Sequence, residues 1–221
     1  MKSMASEKDS GCCDMKKVWR KNQDKIAENH RNLAERFEYY LKFGVDRALL
    51  TDEAVEKIDF MPGRIIEIGS GKGNLTAALA KRFGNVLTID IDEANLYMAY
   101  LNAAYEQVEQ RVEFILSSAE CLAYDDGAFD LSISTFSFHH FDKPFRVLDE
   151  MMRVTHKTLI VSDFNAAGFA IIDIIHESEG RIHEKKSNDF SIVGAYLKYK
   201  GFNVLEYNEQ LQKIYVAEKR S

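Results

Sequence analysis

Residues 64 to 92 constrain the fold of this chain more than any other stretch. An apolar run, Ile65 to Ile68, stops at three glycines in alternate positions, Gly69, Gly71 and Gly73. A helical pattern follows at once, with Leu75, Leu79, Ala80 and Phe83 spaced three and four apart. A second apolar run, Val86 to Ile89, ends in Asp90. The order is strand, glycine turn, helix, strand, acid. Glycines permit positive φ and close approach of a ligand to the backbone. A helix N-terminus offers unpaired N–H groups and the positive end of its dipole. An acid at the end of the next parallel strand can accept two hydrogen bonds from a ribose diol. The stretch therefore reads as a nucleoside site at the carboxyl edge of an α/β sheet. A purely structural βαβ unit would need all four features to coincide for no reason.

Taken in order, the rest of the chain supplies more strands and helices. Residues 1 to 15 are small, polar and unpatterned and read as a disordered tail. From 16 to 60 the pattern is helical. A stripe from Val18 and Trp19 to Tyr40 and Leu41 predicts one helix over Lys16 to Phe43. A second amphipathic piece, Asp46 to Ile58, has Thr51 or Asp52 as a cap for its latter half. Residues 61 to 221 form the main domain. After Asp90 come a helix from Glu93 to Gln107, a strand from Arg111 to Leu116, and a strand from Phe129 to Ser134. Then Pro144 starts a helix to Val154, and Thr158 to Ser162 is a fifth strand closed by Asp163. A helix from Phe190 to Lys200 precedes two closing strands, Phe202 to Glu206 and Lys213 to Ala217. The last two are close enough to be antiparallel. Alternation elsewhere implies a parallel sheet with right-handed crossovers. Residues 164 to 188 replace a simple turn. They read either as a cover over an acceptor pocket or as an amphipathic helix sealing the sheet.

The glycine turn also indicates which nucleoside. A dinucleotide fold wants G-x-G-x-x-G over a pyrophosphate. Here the spacing is G-x-G-x-G, and Asn74 stands where the third glycine belongs. Glu67, two residues before the turn, would repel a pyrophosphate but attract an ammonium group. No G-x-x-x-x-G-K-[ST] phosphate loop is present. The site wants a nucleoside with a cationic tail.

Glu67-Ile-Gly-Ser-Gly-Lys-Gly, Asp90, Ser118-Ala-Glu and Phe129-Asp-Leu-Ser-Ile-Ser-Thr follow one another as the successive motifs of a known family do. The chain resembles the class I S-adenosylmethionine-dependent methyltransferases, and the likeness covers roughly residues 60 to 163. The resemblance implies a Rossmann-like, doubly wound, seven-stranded α/β sheet, mostly parallel with an antiparallel last strand, behind a helical N-terminal extension. It implies S-adenosyl-L-methionine as cofactor. Gly69, Ser70 and Gly71 would line it, with Gly73 packing at the helix start. Glu67 would hold the methionine ammonium, directly or through water. Asp90 would take both ribose hydroxyls, with Ile91 against the adenine. Ala119 and Glu120 would border the adenine edge. Ser118 stands where many members carry an aspartate for the adenine amino group; a serine accepts one bond there. Thr135 and Phe136 would lie under the sulfonium.

Methyl transfer is an in-line displacement, and an acceptor that loses a proton benefits from a nearby base. His139 and His140, just after the fourth strand, are the catalytic candidates; His176, His183 and Glu184 are alternatives. No metal set is expected. Tyr39, Tyr40 or Phe43 is a candidate to close over the ligand. No Asn/Asp-Pro-Pro-aromatic sequence follows the fourth strand, and the net charge of −6 makes nucleic acid a poor partner. The aromatic rim of Phe136, Phe138 and Phe141 suits a small-molecule acceptor. Cys12, Cys13 and Cys121 give no disulfide framework, and no run suits a membrane span or a secretory signal. The expectation is a cytoplasmic methyltransferase, with homodimerisation through the N-terminal helices open. The competing readings are an interaction module on the same fold and a nicotinamide-dependent oxidoreductase.

Overall fold

The structure, a computed structural model, describes residues 14–182, 186 and 188–219. Helices α1 (Gln23–Leu41) and α2 (Arg47–Glu56) precede the sheet. Alternation then begins with β1 (Ile65–Ile68), α3 (Asn74–Phe83), β2 (Val86–Asp90), α4 (Glu93–Tyr105) and β3 (Val112–Leu116). It continues with β4 (Phe129–Thr135), α5 (Pro144–Val154), β5 (Thr155–Phe164) and α6 (Ala166–Ser178). The chain closes with α7 (Val193–Tyr199), β6 (Phe202–Asn208) and β7 (Gln212–Lys219). The sheet has seven strands in the order β3-β2-β1-β4-β5-β7-β6. Only β7 runs against the rest, paired with β5 from Thr158↔Glu218 to Phe164↔Gln212 and with β6 on its other side.

Strands buried on both faces read as continuous apolar runs. In β1 every residue is buried, and successive side chains leave on opposite sides. Ile65 joins a core with α3 and α4, where Leu79, Leu96 and Ala99 pack. Ile66 and Ile68 join the opposite core, with Leu148 and Met151 of α5 and Val193 and Leu197 of α7. The strand order reverses direction between β1 and β4. Crossovers from β1 lead one way through α3 and α4, and those from β4 lead the other. Such a switch leaves a crevice at the carboxyl ends of the two central strands.

A third apolar cluster sits above that crevice. Tyr40 and Leu50 from the N-terminal helices, with Val45 from the turn between them, meet Phe164, Ile172 and Ile175 from the end of β5 and α6. The segment after the fifth strand is thus a helix laid against the N-terminal extension, and both border the crevice.

Several boundaries differ from the sequence expectation, each for a local reason. Lys16 to Phe43 is not one helix. Asn22 caps α1, its side-chain oxygen accepting from the Asp24 and Lys25 N–H groups at 3.0 and 3.1 Å. Met15–Lys17 is a separate 3-10 turn. Asp14 and Met15, expected in the tail, are ordered. Asp14 forms an antiparallel bridge to Ile115, and its carboxylate accepts from the Phe114 N–H at 3.2 Å. Trp19 then packs its ring on Tyr97, Tyr100 and Phe114 at 5.3, 5.4 and 6.0 Å. Residues 1–13, with Cys12 and Cys13, lie outside the described residues. Helix α2 is capped by Asp46, which accepts from the Ala48 and Leu49 N–H groups, and not by Thr51 or Asp52. Strand β5 starts at Thr155, three residues early, because Thr155 is fully buried and bonds Ser132 Oγ at 2.7 Å.

Candidate active site

A cavity of about 490 Å³ opens at the crevice between β1 and β4. One end is built by the glycine turn. The Gly69 and Ser70 N–H groups both donate to the Ile89 carbonyl, at 2.9 and 3.1 Å, which ties the turn to the end of β2. Gly71 has φ +49° and open space where a Cβ would stand, so a ligand can lie on bare backbone. Gly73 serves a different end. A Cβ there would come 2.5 Å from Ala99 Cα, so its absence lets α3 pack on α4.

Asp90 is fixed beside this turn. One carboxylate oxygen accepts from the Gly71 N–H at 3.0 Å and from Ser70 Oγ at 3.2 Å. The other accepts from the Asp92 N–H at 3.0 Å and weakly from Asn95 Nδ2 at 3.4 Å. Ile91 projects next to it and is 78% exposed, a large aliphatic side chain left bare at a cavity mouth. Asp92 caps α4 through the Ala94 N–H.

The other end is assembled from distant segments. His139 is buried at 4% exposure, and its Nδ1 lies 2.7 and 2.9 Å from the two oxygens of Asp163. Asp163 is fully buried and also accepts from the His139 and Phe164 backbone N–H groups at 2.9 and 2.8 Å. A carboxylate at Nδ1 holds the ring in one orientation and places the basic lone pair of the neutral imidazole on Nε2. His140 lines the same wall, its ring 3.9 Å from that of His139. Phe136 has φ +53°, rare for an aromatic residue. That conformation, held by its N–H on the Ser162 carbonyl at 2.9 Å, lays its ring 4.5 Å from that of Phe164.

Positive charge lines the cavity through Arg36, Arg47 and Lys72. Arg47 stacks its guanidinium 4.9 Å from the Phe136 ring and 5.8 Å from the Phe164 ring. Burial pushes its pKa down, Tyr40 opposes that, and the neighbouring Arg36 adds to it. Lys72, inside the glycine turn, is pushed down to about 8 by burial and then by Arg36, Arg181 and Arg47. Arg36 donates to Tyr40 Oη at 2.6 Å, and Tyr40 lies 3.4 Å from His176 Nε2.

Of the residues expected from sequence, Gly69, Gly71, Asp90, Ile91, Ser118, Ala119, Glu120, Phe136, His139 and His140 all border the cavity. Glu67, Ser70, Gly73 and Thr135 do not. Ser70 is turned to Asp90, and Thr135 pairs with Ser162 within the sheet. Glu67 is 1% exposed and accepts from Thr76 Oγ1 at 2.5 Å, so its carboxyl faces α3. Burial raises its pKa to about 8, against the opposing bond from Thr76. Tyr40 borders the cavity, whereas Tyr39 and Phe43 pack in the cluster beside it. From α6, Ile172 and His176 reach the cavity; His183 and Glu184 lie outside the described residues. The sequence reading missed Asp163, Arg36, Arg47, Lys72 and Phe164 as site residues. Asp163 had a signal, since it ends an apolar strand just as Asp90 does.

The chain matches the methyltransferase domain family over residues 66–160. It is 30% identical over 135 residues to a ubiquinone/menaquinone biosynthesis C-methyltransferase of Hydrogenovibrio crunogenus, covering 59% of this chain and 51% of that protein. It is 32% identical over 117 residues to a demethylmenaquinone methyltransferase of Thermus thermophilus, covering 52% of each. The chain thus spans about half the length of the curated relatives it matches. In fold it is similar to the PH0226 protein of Pyrococcus horikoshii, with a TM-score of 0.65 at 18% identity over 79% of this chain and 90% of that one. These matches agree with the resemblance to the class I S-adenosylmethionine-dependent methyltransferases, and with S-adenosylmethionine as the cofactor that this resemblance implies.

The residues present fit that cofactor. The bare backbone at Gly71 leaves room beside a carboxylate already fixed for a diol, and Ile91 offers an uncovered aliphatic face to a base. Among the described residues no group of three His, Cys, Asp or Glu side chains is arranged to hold a metal, and no helix is long and apolar enough to cross a membrane.

Proposed function

We propose that this protein transfers a methyl group from S-adenosylmethionine to a small organic acceptor bound between Phe136, Phe164 and His139. One observation carries the reading: a single cavity joins a glycine turn with a fixed carboxylate at one end to a buried His–Asp pair at the other. When bound, the cofactor supplies a methyl group on a sulfonium, already activated for displacement. The chain's own residues do the rest. Asp90 takes the ribose hydroxyls and Ile91 covers the base, with Ser118, Ala119 and Glu120 along its edge. Phe136 and Phe164 exclude water from the acceptor's position. His139 accepts the acceptor's proton at Nε2, and Asp163 steadies the resulting imidazolium. Orientation supplies much of the remaining acceleration.

The aromatic lining of the cavity and the net charge of −6 favour a small molecule over a nucleic-acid strand. Residues after α6 support a covering role for that segment: the Lys186 N–H donates to the His139 carbonyl at 2.8 Å, and Asn188 Nδ2 donates to the Phe138 and Phe141 carbonyls at 3.0 and 2.8 Å. Calorimetric titration with S-adenosylhomocysteine tests the cofactor site, with binding expected in the micromolar range. No heat at millimolar ligand would end this reading. A screen for methyl transfer from labelled cofactor to pools of phenols, amines and organic acids then tests turnover.

A further inference from the structure

The chain carries a net charge of −6, yet one wall of its cavity is strongly cationic. Arg36, Arg47 and Lys72 border the cavity, and Arg181 lies close enough to influence Lys72. Against these stands Glu179. It is shared between Arg36, at 3.5 Å, and Arg181. Arg47 and Lys72 form no ion pair with any described carboxylate. The Arg47 guanidinium rests instead on the faces of Phe136 and Phe164.

A cation removed from water without a partner costs free energy, which an aromatic face only partly returns. A bound anion removes that cost. Two anions can reach this wall: the carboxylate of the cofactor's methionine and an anionic group on the acceptor. Lys72 belongs to the glycine turn and so to the cofactor end. Arg47 belongs to α2 and lies over the two rings that wall the acceptor space. The Phe164 ring is in turn 6.2 Å from His139. A guanidinium held over two aromatic rings presents a planar fork that matches a carboxylate with two parallel bonds.

Resting on the methyltransferase reading, we infer that the methyl acceptor is a small carboxylic acid. Arg47 binds its carboxylate bidentately and so aims its body at His139. The carboxylate supplies the charge that the wall lacks, and the neutral ring of an uncharged acceptor would leave Arg47 unsatisfied. Arg47 is therefore a specificity-determining residue, carried by α2 rather than by the glycine turn.

Benzoate and the uncharged benzyl alcohol, titrated into protein saturated with S-adenosylhomocysteine, provide the test. Benzoate is expected to bind at least tenfold more tightly than benzyl alcohol. Arg47→Met should remove that preference, and Arg47→Lys, which keeps the charge but loses the fork, should retain only part of it. The affinity for S-adenosylhomocysteine should stay within about twofold in both variants. If Arg47→Met weakens S-adenosylhomocysteine tenfold and leaves benzoate unaffected, Arg47 serves the cofactor's carboxylate and the inference falls. Equal or undetectable binding of the two probes overturns it as well. Should the wild type fail to bind S-adenosylhomocysteine, the methyltransferase reading fails, and an Arg47-dependent preference for benzoate on the free protein still decides the anion site.

Discussion

The two ends of the cavity are built by opposite means. At the cofactor end the groups that fix Asp90 come from one continuous stretch. The Gly71 N–H, the Ser70 hydroxyl and the Asp92 N–H all converge on Asp90 within 22 residues of chain. At the acceptor end, α1 brings Tyr40, α2 brings Arg47, the turn after β4 brings Phe136 and His139, and β5 brings Asp163 and Phe164. Carboxylates gather at the first end, where Asp90, Asp92 and Glu120 border the cavity with Lys72, while Arg36 and Arg47 border the second. A site held by backbone turns tolerates change in its surroundings. A site held by tertiary contact depends on the fold around it and can be retuned for a new acceptor without disturbing the first end.

The largest expected effect breaks the acceptor end through its buried pair. Asp163→Ala leaves the imidazole and two backbone N–H groups without their acceptor. Loss of one partner from a buried pair costs about 3–5 kcal/mol. The urea midpoint should fall accordingly, while Asp163→Asn, which keeps an acceptor oxygen, should lose much less. If both variants unfold alike, the charge itself and not the hydrogen bonding holds this end.

The strand leading into the glycine turn carries a pH dependence of its own. Burial raises Glu67 from 4.5 to about 8. Between those values the folded protein keeps a proton that the unfolded chain has lost, so stability falls as pH rises. The slope is about 1.4 kcal/mol per pH unit. Glu67→Gln cannot ionise and should show no such slope. Between pH 5.5 and 7.5 the variant should therefore gain about 3 kcal/mol on the wild type in urea denaturation. A flat difference would mean that Glu67 is ionised in the fold, with its charge compensated beside Thr76.

The same contrast explains what could be read from residues alone. Gly69, Gly71, Asp90 and Ile91 were legible because their geometry follows from short-range order: a strand end, a glycine turn and the next strand end. The sheet was legible for the same reason, since buried parallel strands are continuous apolar runs. Glu67 was placed correctly on β1 but not in its orientation. The alternation of a strand sends one side chain to each face, and β1 turns Glu67 toward Thr76 on α3. Arg47 gave no signal, because nothing in its neighbours announces that it will lie on rings 89 and 117 positions away. Boundaries in the N-terminal extension failed on capping. Asn22 closes a helix start inside what reads as a continuous stripe, and Asp46, rather than Thr51 or Asp52, caps the second helix.

A third variant separates the two ends by affinity. Asp90→Ala removes the proposed acceptor for the ribose hydroxyls and the acceptor of the turn's own Gly71 N–H. S-adenosylhomocysteine should bind at least tenfold more weakly, since charge-assisted bonds are lost. Benzoate affinity for the free protein should not move. A parallel loss of both would show that the glycine turn and the acceptor wall are one cooperative unit.

Ile91 gives the smallest and most selective test. Its side chain is 78% exposed and touches no core cluster, so Ile91→Ser should leave the melting temperature unchanged. In the proposed site a bound base would cover that aliphatic face. Burying part of it is worth about 1 kcal/mol at the usual area coefficient, which corresponds to a roughly fivefold loss of S-adenosylhomocysteine affinity in the variant. The same substitution should leave adenosine and S-adenosylhomocysteine weakened by the same factor, because both carry the base. An effect on S-adenosylhomocysteine alone would place the base elsewhere in the cavity and move the cofactor end away from Ile91, toward the wall that Arg47 now defines as the acceptor's.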